Sequence, residues 1–166
     1  MDKRTPRVLE VTVISAEDLR INDRSIKKNA FVVVQTDYSI NYRNTCIDTE
    51  GGSYPSWNEK LELPLYHNVR FIRVEVQCKT GSSARMIGEA KIPISDFIGD
   101  YIPPHYVHFL SYRLRQRDGE RNGIVNLSVR VKVPLYRTFL PSGVQAANEN
   151  YDGIAVGIPV SYGCTV

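Results

Sequence analysis

Between Val125 and Val133 apolar and polar residues alternate without interruption: Val125, Leu127, Val129, Val131 and Val133 fall on one side, Asn126, Ser128, Arg130 and Lys132 on the other. Successive strand side chains point to opposite faces, so this register requires a strand with one face in a core. Seven further segments, at about 7–15, 30–37, 42–47, 57–65, 69–77, 87–94 and 106–115, are period-2 or short apolar runs separated by turn residues. Strands of this length and spacing predict an all-β fold, an eight-stranded antiparallel β-sandwich. FVVVQT over 31–36 is apolar at consecutive positions, the pattern of a central strand covered on both faces. Helical periodicity is nearly absent; a single turn is expected at 95–99, with Ser95 or Asp96 as its cap.

The only tryptophan, Trp57, lies in YPSWNEKLELPL, where a proline turn delivers it to the face shared by Glu59, Leu61, Leu63 and Leu65. Gly51 and Gly52 precede it as a turn that supplies positive φ. After Val133 sustained periodicity stops, so the sequence divides into a folded domain over 1–133 and a mostly irregular, flexible tail over 134–166. Within the tail, YRTF and IAVGIPV are short candidate binding segments.

A chain of 166 residues buries enough surface to fold without a metal or a disulfide staple. Three widely spaced cysteines, Cys46, Cys78 and Cys164, and no apolar run after MDKRTPR point to a reducing, intracellular compartment. Cys46 and Cys78 fall in expected strands and read as small buried hydrophobes. Apolar runs such as Phe31–Val34 fall far short of the ~20 residues needed to span a bilayer, so any membrane contact is peripheral. Asp2 excludes myristoylation, and Cys164 lies one place too close to the end for prenylation. The sequon at Asn126 falls inside a strand and is discounted. The formal charge is +3, with 20 Lys or Arg against 16 Asp or Glu in residues 1–133. A surplus this small suits an anionic surface better than a nucleic acid, which draws a denser basic patch.

Chemistry that would make the chain an enzyme is missing from the sequence. His105 and His108 are spaced to opposite faces of a strand, and no carboxylate or cysteine cluster accompanies them. No phosphate loop, nucleophile elbow or acid–base carboxylate pair is present, so the reading assigns no catalytic residue, metal or cofactor.

The Trp57 strand, VLEVTVISAEDL followed by a polar loop and NAFVVV, and MIGEAKIPI together resemble the C2 domain, with a type II-like strand order. That resemblance implies two polar loops presenting five aspartates for calcium. Here INDRSIKKNAFV places Asp23 at the first position and Asn29 at the second, while Gln77, Lys79 and Arg85 stand at the other three. Ca²⁺ takes six to eight oxygens, several of them carboxylate, so calcium binding is not expected. A residual calcium response would have to recruit Glu17, Asp18 or backbone oxygens around Asp23.

The same replacements leave the loop end positive, with Arg24, Lys27, Lys28, Lys79 and Arg85 from two loops. Each cation beside an anionic leaflet contributes about 1 kcal/mol, five of them on the order of 5 kcal/mol. That corresponds to roughly millimolar to sub-millimolar affinity, which calls for a second contact. Ile26, between Arg24 and Lys27, is either an apolar wedge for the membrane or a residue that folds back to pack the loop. A second lipid-binding patch on a sheet face would join Arg43 to the outward Arg130 and Lys132, although Val33 and Gln35 stand where C2 domains often carry lysine.

LEVTVISAEDLR, GGSYPSWNE, VRFIRVEV, IGEAKIPISDFIGDY, FLSYRLR and GIVNLSVRVK together resemble the small plant C2 proteins known as BONZAI-associated proteins, over about 7–133. The resemblance implies a monomeric, cytoplasmic protein, peripheral at the plasma membrane, that binds anionic phospholipid. It further implies a copine-type (BONZAI) protein partner and restraint of programmed cell death and defence responses. The alternative is a protein-interaction C2 module without lipid binding.

Overall fold

The computed structural model describes residues 6–38 and 40–133. Its strands are β1 (Arg7–Glu17), β2 (Arg20–Ile21), β3 (Arg24–Ser25), β4 (Ala30–Thr36), β5 (Tyr42–Asn44), β6 (Ser56–Leu65), β7 (Phe71–Thr80), β8 (Ser83–Pro93), β9 (Val107–Arg115) and β10 (Arg121–Lys132). Strands β2 and β3 form a hairpin of their own. The other eight bond in the order β5-β4-β7-β8-β9-β10-β1-β6, and each neighbouring pair is antiparallel. Between β8 and β9 the ladder shrinks to one pair, Glu89 opposite Arg115, and there the sheet folds over.

The two resulting layers, β5-β4-β7-β8 and β9-β10-β1-β6, enclose one core. Val32, Val34, Val74, Val76 and Ile92 come from the first; Leu9, Val11, Val13, Leu63, Leu127 and Val129 come from the second. The alternation is realised in β6, where Leu61, Leu63 and Leu65 are buried, and over most of β10, where Val125, Leu127 and Val129 are buried, Val131 is half-buried and Val133, past the end of the strand, is exposed. Trp57 is half-buried, and its indole N–H donates to the Ala30 carbonyl at 3.2 Å, tying β6 to the first strand of the other layer. The amide of Cys46 donates to Glu59 at 2.7 Å, a second bond across the same seam.

All eight expected strands are present, with local departures. β4 lies centrally between β5 and β7, but Phe31, Val33 and Gln35 are only half-buried, so one of its faces is incompletely covered. β5 ends at Asn44 because the Thr45 hydroxyl, in place of a backbone carbonyl, accepts the Val32 amide at 3.0 Å. Cys46 is therefore half-buried beyond the strand, while Cys78 is buried on β7. The expected turn at 95–99 is a single 3₁₀ turn at Ile94–Asp96, capped at its start by Pro93 with no side-chain hydrogen bond. Neither Ser95 nor Asp96 caps it; the Asp96 carboxylate instead accepts the Tyr112 hydroxyl. Burial, and that anionic partner, push the Tyr112 phenol above its ordinary range.

Gly51 and Gly52 are needed for different reasons. Gly52 has φ +58°, whereas a Cβ on Gly51 would lie 2.6 Å from Pro55 Cα. Residues 134–166, with YRTF, IAVGIPV and Cys164, lie outside the described residues.

Candidate functional site: a cationic loop end

Two loops and one hairpin meet where β1, β4, β7 and β8 reach the same end of the sandwich. The hairpin of β2 and β3 turns on Asn22 and Asp23 alone, at φ 50° and 61°, since Ile21 pairs with Arg24. Two consecutive positive-φ residues make a type I′ turn, a geometry that Asn and Asp tolerate better than most side chains. Asp23, the one carboxylate at an expected calcium position, is thus the exposed second residue of a tight turn.

The hairpin is held by a residue far away in sequence. Asn122, only 5 % exposed, accepts the Arg20 amide at 3.0 Å and donates to the Arg20 carbonyl at 2.7 Å and the Ile87 carbonyl at 3.0 Å. Its amide group therefore substitutes for a neighbouring strand. Ser53 performs a similar task from the Gly-Gly turn, donating to the Leu19 carbonyl at 2.7 Å, with the Ile26 carbonyl at 3.3 Å. Asp48 organises that turn, accepting amides from Glu50 (2.9 Å), Gly51 (2.6 Å) and Ser56 (3.0 Å). Burial raises its pKa, but the three amides outweigh it and hold the carboxyl below the usual range.

Ile26 is 7 % exposed and belongs to the core cluster, so it folds back and packs the loop; the membrane wedge is not formed. Burying Ile26 fixes the chain on both sides of it, which leaves Arg24, Lys27 and Lys28 exposed around it. Asn29, at φ 67°, is a structural turn residue whose carbonyl accepts the Lys79 amide at 2.9 Å. The buried Cys78 thiol donates to the Lys28 carbonyl at 3.3 Å, and burial pushes its pKa up. These bonds join the first loop to the end of β7 and place Arg24, Lys27, Lys28 and Lys79 around one open cleft of about 530 Å³.

Arg85 does not line that cleft. It borders a separate depression of about 430 Å³ with Met86 and Arg117, and its guanidinium donates to the Asn22 side chain at 3.0 Å. Gln77 is half-buried and donates to Glu75 at 2.7 Å. The five expected calcium positions are therefore spread over a hairpin tip, a loop turn and two strands. Among the described residues no three His, Cys, Asp or Glu side chains are grouped to hold a metal ion.

The second basic patch is not assembled. Arg43 lies on β5, the outer strand of the other layer, and its guanidinium turns to the Tyr42 carbonyl at 3.1 Å. Arg130 and Lys132 are engaged by Glu10, at 2.6 Å each, and Lys132 also pairs with Glu62 at 2.6 Å. Lys60 approaches the same Glu10 carboxylate at 3.5 Å. Burial raises the pKa of Glu10, but Lys132 and Arg130 more than offset it and hold the carboxyl below its ordinary value. By contrast, among the described residues no ion pair engages Arg24, Lys27, Lys28 or Lys79. His105 is exposed at φ 62°, and His108, half-buried on β9, meets Tyr106 edge-on at 4.8 Å.

A two-layered antiparallel sandwich whose loops gather at one end is the architecture of the C2 domain, and the C2 family profile matches residues 7–109. The chain belongs to the C2 domain family. The chain is 43% identical over 130 residues to BON1-associated protein 2 of Arabidopsis thaliana. That match covers 76% of this chain and 62% of the relative, so the chain spans under two thirds of the relative's length. A C2 domain of plant Extended Synaptotagmin 1 superposes with a TM-score of 0.66 at 16% identity, covering 78% of this chain and 97% of that one. A C2 domain-containing protein from a putative elicitor-responsive gene superposes with a TM-score of 0.60 at 20% identity, over 89% of this chain and 98% of the other. Both likenesses concern the fold. Among the described residues no helix is long and apolar enough to cross a membrane.

Proposed function

We propose that the protein is a non-enzymatic, calcium-independent C2 adaptor that binds anionic phospholipid through Arg24, Lys27, Lys28 and Lys79, with Arg85 beside them. The observation that carries this reading is a contrast in pairing: Arg130 and Lys132 on the sheet face are neutralised by carboxylates, whereas among the described residues no ion pair engages the four cations around the cleft. Calcium independence is supported by Asp23 having no carboxylate cluster around it among the described residues.

Four cations contribute on the order of 4 kcal/mol at an anionic leaflet, which alone corresponds to roughly millimolar affinity. Stable residence at a membrane therefore needs a second contact, and a protein partner supplies it. The relative's name, BON1-associated protein 2, supports a BON1-like protein as that partner; that the partner is of the copine (BONZAI) type, that it sits at the plasma membrane and that the pair restrains cell death and defence is what the resemblance to the small plant C2 proteins implies.

Co-sedimentation with liposomes tests the lipid arm. Binding to anionic but not neutral vesicles, unchanged by chelator and weakened at high salt, is the expected result. The Lys27→Glu/Lys79→Glu variant should no longer pellet while its melting temperature stays unchanged, because both side chains are exposed and, among the described residues, form no ion pair. Chelator-sensitive binding would overturn calcium independence. Absence of binding would leave a module that contacts proteins alone.

A further inference from the structure

The sandwich has four outer strands, and three of them are protected against pairing with another chain. β5 is three residues long. β6 exposes Asn58, Lys60 and Glu62 and contains Pro64. β8 exposes Lys91 and ends at Pro93. Short length, charge and proline are the usual means by which an open strand edge is kept from recruiting a new strand.

β9 has none of these protections over its first half. It runs for nine residues, Val107–Arg115, without proline or lysine. One edge pairs with β10 from Val107 to Arg115; on the other, among the described residues, the only ladder pair is Arg115 with Glu89. The edge from Val107 to Ser111 is thus open, and beside it Val107 is 37 % and Phe109 75 % exposed. Farther along the same face, Arg113, Arg115 and the cross-strand Arg121 are exposed. An apolar stretch followed by a basic one is a directional pattern.

We infer that the open edge of β9 accepts an extended segment of a partner protein as an additional antiparallel strand, one that carries carboxylates followed by aliphatic or aromatic residues at alternate positions. Main-chain bonds to the free edge supply affinity and alternate side chains supply specificity. Because the added strand runs against β9, its leading carboxylates lie beside Arg113 and its trailing apolar residues beside Phe109 and Val107. A second copy of this chain fits less well: β9 against β9 centred on Phe109 or Leu110 sets Arg113 beside His105 or Val107 and gives it no carboxylate. The inference deepens the adaptor reading by placing its protein contact, and it rests on that reading only in requiring a protein partner.

The probe is a synthetic peptide that alternates threonine with, in order, two glutamates, a valine, a phenylalanine and a valine. Titrated into the isotopically labelled protein, it should shift the amide resonances of residues 107–113, and Phe109→Lys should weaken binding about tenfold or more. Backbone N-methylation at every second peptide residue should abolish binding in one phase of the alternation and spare it in the other, because only one set of amides faces β9. Equal tolerance of both sets, shifts confined to other strands, or no shifts at millimolar peptide would overturn the inference. So would sedimentation of the free protein as a dimer that Phe109→Lys dissociates, which would assign the edge to a second copy. Retained liposome binding by Phe109→Lys would separate failure of this edge from failure of the cationic loop end.

Discussion

Replacing Asn122 by alanine is expected to destabilise the protein by about 3 kcal/mol and to weaken lipid binding at the same time. The substitution strands an amide and a carbonyl of Arg20 and the carbonyl of Ile87, all three of which the Asn122 side chain satisfies. The stranded Ile87 carbonyl is buried and costs about 1–3 kcal/mol, while the two Arg20 groups are part-buried and regain water in part. For a domain of this size the melting temperature should fall by roughly 10 °C, readable by calorimetry. The same loss frees β2 and β3, which carry Arg24, so liposome affinity should drop even though no charge is removed. Unchanged stability would mean that the hairpin is held by Ser53 and Ile26 alone.

Glu10→Gln is the second large effect. Removing the carboxylate leaves Arg130 and Lys132 without their shared counter-charge, but both are about a third exposed and regain water. A fully buried pair broken in this way costs about 3–5 kcal/mol; with the exposure here about 2 kcal/mol is expected. The pH dependence follows from the direction of the shift. The folded Glu10 pKa is depressed, so its stabilisation is complete above the ordinary carboxylate value and is lost as pH falls through the folded one. The stability gap between wild type and Glu10→Gln should be flat from neutral pH down to about pH 5 and close below it, as measured by urea unfolding.

The parts of this protein that can be read in advance are those governed by a local period. β10 and β6 announce their buried faces in the sequence, because period-2 burial leaves a trace at every second residue. The Gly-Gly turn is readable for the same local reason. The C2 resemblance points to the two loops that carry Arg24, Lys27, Lys28 and Lys79, and the cleft they line is where those loops meet. What cannot be read depends on partners distant in the chain. Asn122 and Arg20 lie 102 residues apart, and Glu10 and Arg130 lie 120 apart. Nothing near Arg130 or Lys132 in sequence says that a glutamate on a neighbouring strand holds them, so the sequence suggests a sheet-face patch where an ion-pair network exists. Asp48 leaves a local trace that the strand pattern overshadows: an aspartate three residues before a Gly-Gly pair is placed to accept the amides that follow it.

The bond from Arg85 to Asn22 joins the two loops that would share an ion in a calcium-dependent C2 domain. With Asn122 and Ser53 behind it, the loop end is clasped by the chain's own groups and has its geometry before any ligand arrives. On the calcium-independent reading proposed above, a clasp of this kind has no off state that a falling ion concentration could reach. On the proposed reading, then, the variable that governs attachment lies in the bilayer: the protein reports how much negative charge a leaflet carries, and it would relocate when lipid composition changes, whatever calcium does.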